Sequence, residues 1–144
     1  MKIWIGADHR GRDYKKLVKA ILTGRGHEVR DVGAFGEGPA DYPDLAIPVA
    51  QAVRDGEADR GVLICATGIG MSMAANRLRG IRATLCITPE MAATARRHND
   101  SNVLCLARDL SDREQTEAIV ETWLETDFEG GRHSRRLGKM DRCE

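Results

Sequence analysis

The chain has 144 residues, with 22 Lys and Arg balanced by 22 Asp and Glu, so it carries no overall field to draw in nucleic acid or an anionic membrane. That length suits one domain with a real core. No apolar run approaches a membrane span, and Met1-Lys2-Ile3-Trp4 enters a strand directly, so neither a membrane segment nor a signal peptide is expected.

Ile3 to Ala7 reads as a first strand ending at Asp8-His9. A helix follows, because Tyr14, Leu17, Val18, Ile21 and Leu22 keep the spacing of one apolar stripe, and Gly24 and Gly26 end it. Val29 to Val32 makes a short second strand, and the glycine and proline content of residues 33–39 marks a loop. Asp41-Tyr42-Pro43 leads into a helix through Val53 that stops near Gly56. Gly61 to Ile64 is a short apolar run with the β-branched content of a buried parallel strand. It breaks at Cys65-Ala66-Thr67-Gly68-Ile69-Gly70 and resumes at Met71 as a helix-forming run. Gly80 to Ile87 gives a fourth strand, and Thr88-Pro89-Glu90 starts a helix to about Arg97. His98 to Asn102 turns into a fifth strand, Val103 to Leu106. Ser111 to Glu114 reads as a capping box for the last long helix, with Thr116, Ile119, Val120, Trp123 and Leu124 as its buried stripe.

Five strands alternating with helices predict a parallel sheet covered on both faces, in one domain without linker or repeat. The tail from Glu129 differs. Arg132, Arg135, Arg136, Lys139 and Arg142 stand against Glu129, Asp141 and Glu144, either as a solvated helix face or as an anion site.

The strand–glycine loop–helix unit at 60–77 lies where an open α/β sheet binds ligands, with N–H groups of a helix start facing an anion. It matches neither the dinucleotide G-x-G-x-x-G nor the P-loop pattern. Cys65 is either a core cysteine or a thiol that backbone N–H groups activate as a thiolate. Thr67, Ser72 and Asn76 add polar groups to the same turn. Asp8 and His9 end the first strand, as a cap and a surface turn or as polar groups facing the crevice of Cys65. Cys65, Cys86 and Cys105 form no CxxC pair and suit reduced thiols in a cytoplasmic protein without zinc or disulfides. His98 precedes strand five and so belongs to the amino edge of the sheet, whereas Cys65 belongs to the carboxyl edge. A five-residue strand spans roughly 17 Å. His98 is therefore a surface turn residue, or it serves the Cys65 site of a second subunit.

Gly-Ala-Asp-His at 6–9, Asp-Tyr-Pro at 41–43, Cys-Ala-Thr-Gly-Ile-Gly-Met-Ser at 65–72 and Ala-Ala-Asn-Arg-Leu-Arg-Gly-Ile-Arg-Ala at 74–83 occur in order. His-Asn-Asp-Ser-Asn-Val at 98–103 and Glu-Gly-Gly-Arg-His at 129–133 complete the set. With these six motifs the chain resembles, nearly end to end, the ribose-5-phosphate isomerase B family, which includes allose-6-phosphate isomerases and galactose-6-phosphate isomerase subunits. The resemblance implies a Rossmann-like, three-layer fold and an Arg-rich C-terminal tail that reaches a partner. It implies a homodimer, or a tetramer, with active sites shared between subunits and no cofactor or metal. It implies that Cys65 moves a proton between C2 and C1 through a cis-enediolate, with Thr67 assisting at the sugar oxygens. Backbone N–H groups from Gly68 through Gly70 to Ser72 stabilise the enediolate. His98 with Asp8 opens the furanose, Asn99 holds the open chain, and His9, Arg132 and Arg136 bind phosphate. Some members use a glutamate further along the loop, where this chain has Met71. Two departures stand out: Arg108 sits one place from the arginine that many relatives carry after strand five, and Arg135 beside Arg136 leaves the second phosphate arginine of the tail open. A six-carbon sugar phosphate is the other substrate, and a non-catalytic sugar-phosphate or nucleotide-binding protein the other function class.

Overall fold

The structure, a computed structural model, describes residues 1–36 and 38–143. Five strands form one parallel sheet: β1 (Lys2–Ala7), β2 (Glu28–Asp31), β3 (Arg60–Cys65), β4 (Ala83–Leu85) and β5 (Val103–Ala107), in the order β2-β1-β3-β5-β4. The helices among the described residues are α1 (Arg12–Gly24), α2 (Tyr42–Arg54), α3 (Ile69–Ala75), α4 (Pro89–Asn99), α5 (Arg113–Glu125) and α6 (Arg132–Met140). No helix of the described residues is long and apolar enough to cross a membrane.

The sheet is apolar on both faces because its three central strands are buried on both. Ile3, Ile5, Val62, Ile64, Leu104 and Leu106 point to one face, where Val18 and Leu22 of α1, Ala92 and Ala95 of α4, and Ile119, Val120 and Trp123 of α5 cover them. Leu63, Cys65, Val103 and Cys105 point to the other, under Leu45, Ala46, Val49 and Ala50 of α2 and Met71 and Ala75 of α3. This is the expected three-layer, Rossmann-like α/β sandwich. The strand order reverses between β1 and β3, which pair in parallel with Ala7 opposite Ile64. A crevice at such a reversal, outside the carboxyl ends of the strands, is where open sheets bind ligands.

Several boundaries move for physical reasons. β2 starts and ends one residue earlier than expected. β4 keeps only three residues of the apolar run 80–87, and at its first residue the Asn76 amide grips Ala83, donating to its carbonyl at 2.8 Å and accepting from its N–H at 2.7 Å. Asn76 is thus spent on holding α3 to β4 and does not serve the loop. The capping box sits one residue on, at Asp112 and Gln115, and the Ser111 hydroxyl is buried instead. α4 runs on to Asn99, so His98 and Asn99 are helical and do not belong to a turn. Asp100, at φ 45°, stops the helix, and its carboxylate accepts from Arg82 at 3.1 Å and Arg96 at 3.0 Å. The buried Arg96 also donates to the Thr126 carbonyl at 3.2 Å, fixing the end of α4 to the segment that leads into α6. The basic tail, left open between two readings, forms α6.

The loop between β2 and α2 is held from below. Asp31 accepts from Lys15 at 2.8 Å, Lys19 at 3.0 Å and the Gly33 N–H at 2.9 Å, and Lys15 also reaches the Ala34 carbonyl at 3.3 Å. Burial pushes the Asp31 carboxyl up, but Lys15, the Gly33 N–H and Lys19 together hold it below its ordinary value. Its stabilisation is therefore present above the pH where an unfolded aspartate titrates and is lost as pH falls through the lower folded value. Asp31→Ala leaves Lys15, with 5% of its side chain exposed, without its charge partner, and is expected to cost about 3 kcal/mol at pH 7. Urea unfolding checks this, and the gap between wild type and variant should close as pH drops below about 4.

Candidate active site

The register of the sheet puts three strand ends side by side. Ala7 pairs with Ile64 and Cys65 with Ala107, so Asp8, Cys65 and Arg108 emerge close together at the carboxyl edge. The Cys65 side chain is 6% exposed, and its sulfur accepts the Gly68 N–H at 3.0 Å. Only glycine fits at 68. Its φ is 73°, and a Cβ there would lie 2.5 Å from the Leu85 side chain and 3.2 Å from the Leu106 carbonyl oxygen. Among the other buried thiols, burial pushes Cys86 up to about 12, and Cys105 well above the ordinary range.

Thr67 is exposed, and its hydroxyl accepts the Ile69 N–H at 3.3 Å. Ser72 donates its hydroxyl to the Ile69 carbonyl at 2.8 Å and its N–H to the Gly68 carbonyl at 3.1 Å, so both of its donors are spent within the loop and, against expectation, its N–H is not free for a ligand. Gly70 and Met71 follow Ile69 in the first turn of α3, where N–H groups lack intrahelical partners. The Tyr42 ring lies directly over Gly70, where a Cβ would approach it to 3.0 Å. Tyr42, at the start of α2, is a site neighbour whose side chain the sequence reading quoted within a motif but gave no task. Asp8 is buried and caps the turn after β1, and its Oδ1 accepts the Arg10 N–H at 3.0 Å and the Gly11 N–H at 3.2 Å. Both bonds fall on one oxygen, so the cap reading and a role for the other oxygen coexist. His9 is exposed, and its Nδ1 lies 3.2 Å from the Ala40 nitrogen and 3.3 Å from the Ala40 oxygen, so the loop held by Asp31 also orients this imidazole.

His98, Asn99, Arg132 and Arg136 are elsewhere. His98 and Asn99 end α4, at the amino edge, and α6 packs beside them. Arg132 and Arg136, one turn apart on α6, are exposed and make no ion pair among the described residues. Arg135 stands beside them on the same helix. His133, whose ring stacks on His98 with centroids 4.3 Å apart and planes 11° apart, was missed as a site neighbour. It is buried, its Nε2 has no hydrogen-bond partner among the described residues, and Glu129 is 3.6 Å away. Burial, then His98, Arg132 and Arg136, hold its proton affinity below the ordinary value, against the opposing pull of Glu129. The signal for it was its place beside Arg132 and four residues after Glu129.

His98, Glu129 and His133 offer ligand atoms within 4.8 Å of one another. A tetrahedral ion needs them roughly 3.4 Å apart, with each ring aimed edge-on. Two imidazoles lying face to face do not aim at one ion. A cavity of about 880 Å³ opens nearby, bordered by Arg77, Arg82, Asn99 and Asp141 and by no residue of the Cys65 loop. That cavity lies away from Cys65, whereas the thiol at the strand end and the unbonded first-turn N–H groups of Gly70 and Met71 lie on the loop.

One chain thus assembles Asp8, His9, Cys65, Thr67, Gly68, Gly70 and Ser72 at the carboxyl edge, and His98, Asn99, Arg132 and Arg136 at the amino edge. β3 and β5, of six and five residues, separate the two groups.

A parallel α/β sheet with a thiol and a glycine loop at its switch point is the setting of a small-molecule site. The chain belongs to the Ribose/Galactose Isomerase family, whose model matches residues 3–140. It is 46% identical over 143 residues to ribose-5-phosphate isomerase B of Escherichia coli, covering 99% of this chain and 96% of that protein. A ribose 5-phosphate isomerase structure from Thermotoga maritima is 50% identical with a TM-score of 0.95, over 99% of this chain and 98% of the other. Ribose-5-phosphate isomerase B from Mycoplasma genitalium with bound ribulose-5-phosphate is 40% identical, TM-score 0.93, over 98% and 94%.

Proposed function

We propose that residues 1–144 form one isomerase unit that interconverts ribose 5-phosphate and ribulose 5-phosphate in the cytoplasm, at two sites shared across a homodimer. Each site takes Asp8, His9 and the Cys65 loop from one subunit and His98, Asn99, Arg132 and Arg136 from its partner. His9 with the partner's Arg132 and the partner's Arg136 fixes the phosphate, so binding energy at the unreactive end orients C1 and C2. The partner's His98 with Asp8 moves the proton that opens the furanose, and the partner's Asn99 holds the open chain. Cys65, as thiolate, takes the proton from C2 and returns it to C1. Thr67 carries the hydroxyl proton from O2 to O1. The N–H groups of Gly70 and Met71 in the first turn of α3 stabilise the negative charge of the cis-enediolate without reorganising, while those of Gly68, Ile69 and Ser72 hold the loop. This chemistry draws on thiol, imidazole, guanidinium and backbone groups.

The observation that carries the reading is the Cys65 sulfur under the Gly68 N–H at the switch point, in a chain of this family. The relatives named above support ribose 5-phosphate over a six-carbon sugar. Turnover by the purified protein in the presence of EDTA tests it, with kcat/KM for ribose 5-phosphate expected to exceed that for allose 6-phosphate. The reverse order assigns the six-carbon substrate. Phosphate-ligand binding without turnover makes the chain a sensor and sinks the enzyme.

A further inference from the structure

One charged cluster of the carboxyl edge has no task in this reaction. Arg10 follows His9 in the turn after β1. Its guanidinium reaches past the end of β3 to Asp109, 3.4 Å from Nη2 to Oδ2. Arg108 meets the same carboxylate at 3.1 Å. The backbone beneath is tied to the site, with the Arg108 N–H donating to the Cys65 carbonyl at 3.0 Å and the Asp109 N–H to the Ala66 carbonyl at 2.9 Å. Because β3 lies between β1 and β5, the Arg10–Asp109 contact crosses the end of β3 that carries Cys65.

The pair is poorly suited to holding the fold. Its side chains are 55% and 39% exposed, and Arg108 is 48% exposed. Exposed pairs of this kind contribute little to stability. One carboxylate between two guanidinium groups also leaves a net positive charge at the mouth. The root of Arg10 is fixed, because its N–H is bonded to Asp8 at 3.0 Å. Its tip rests on a long contact that a shorter bidentate bond to a phosphate dianion would displace.

We infer that Arg10 is a phosphate-binding residue beside His9, and that Asp109 holds its guanidinium over the mouth until substrate arrives. The inference rests on the proposed site, in which the phosphate lies at His9. With phosphate bound, Arg10 leaves Asp109 to Arg108, and the dianion gains a cation from the same subunit as the Cys65 thiolate.

The test uses the full chain with inorganic phosphate in calorimetric titration and ribose 5-phosphate in steady-state turnover. Arg10→Gln keeps the backbone bond to Asp8 and should weaken phosphate binding about tenfold, with a matching loss of kcat/KM that falls mainly on KM. Arg10→Lys should recover part of the loss. Asp109→Asn, which frees the guanidinium, should tighten phosphate binding. A purely structural pair predicts that Arg10→Gln and Asp109→Asn shift binding in the same direction, and that result overturns the inference. So does phosphate affinity in Arg10→Gln within twofold of wild type. Arg10-dependent phosphate binding without ribose 5-phosphate turnover would keep the inference and remove the isomerase reading, so the two failures are distinguishable.

Discussion

Replacing Cys65 by alanine is expected to lower kcat for ribose 5-phosphate about a thousandfold while the protein stays folded. The proton on C2 is too weakly acidic to leave unaided, and no other ionisable side chain of the carboxyl-edge group is placed to take it. Asp8 spends one oxygen on the turn, His9 is tied to Ala40, and the Thr67 hydroxyl is too weak a base at neutral pH. The loop amides and the phosphate clamp remain in the variant, so substrate should still bind. Cys65→Ser should fare little better, because a hydroxyl in the same place stays protonated. Steady-state kinetics with circular dichroism as the folding control decides it. A variant keeping a tenth of wild-type turnover would move the base to another residue.

A mixture of two inactive variants is expected to regain activity. In Cys65→Ala homodimers neither site has its base, and in His98→Ala homodimers neither has its ring-opening imidazole. A heterodimer of the two holds one site with both defects and one with neither. Random reassociation makes half the dimers mixed, and each carries one good site, so an equimolar mixture should reach about a quarter of wild-type activity. If each chain supplied a whole site, mixing would restore nothing. Complementation is expected because Cys65 ends β3 at the carboxyl edge of the sheet and His98 ends α4 at the amino edge. Unfolding and refolding the two variants together, then assaying against each refolded alone, gives the answer.

The layers, the strand count and the switch-point loop were legible because each rests on local pattern. Apolar runs of strand length, one stripe per helix and glycines at the turns are all written within short windows. The errors arose where two local patterns overlap. Ser111 to Glu114 and Asp112 to Gln115 are both capping boxes, and which one closes depends on Ser111 being buried by the rest of the fold. α4 outran its expected end because Asp100 accepts a left-handed backbone when two arginines hold its carboxylate. All candidate site residues but Arg136 lie within the six motifs, and the strand ends divide them into a carboxyl-edge and an amino-edge group. The His98–His133 stack and the reach of Arg10 to Asp109 were not legible, since each joins residues far apart in sequence and no spacing rule connects them.

The place of β5 has a consequence for how the chain comes to fold. It sits between β3 and β4, yet it follows both in sequence, and Gly61 pairs with Val103. Until Val103–Ala107 is made, β3 has an open edge and β4 has no neighbour at all. β1, β2 and β3 can pair as soon as the N-terminal half is made, but β4 can join the sheet only once β5 lies against β3. Closure of so long a loop before any reward is slow, and a nascent chain emerging from the ribosome would display the bare edge of β3 in the meantime, where chaperone contact is most useful.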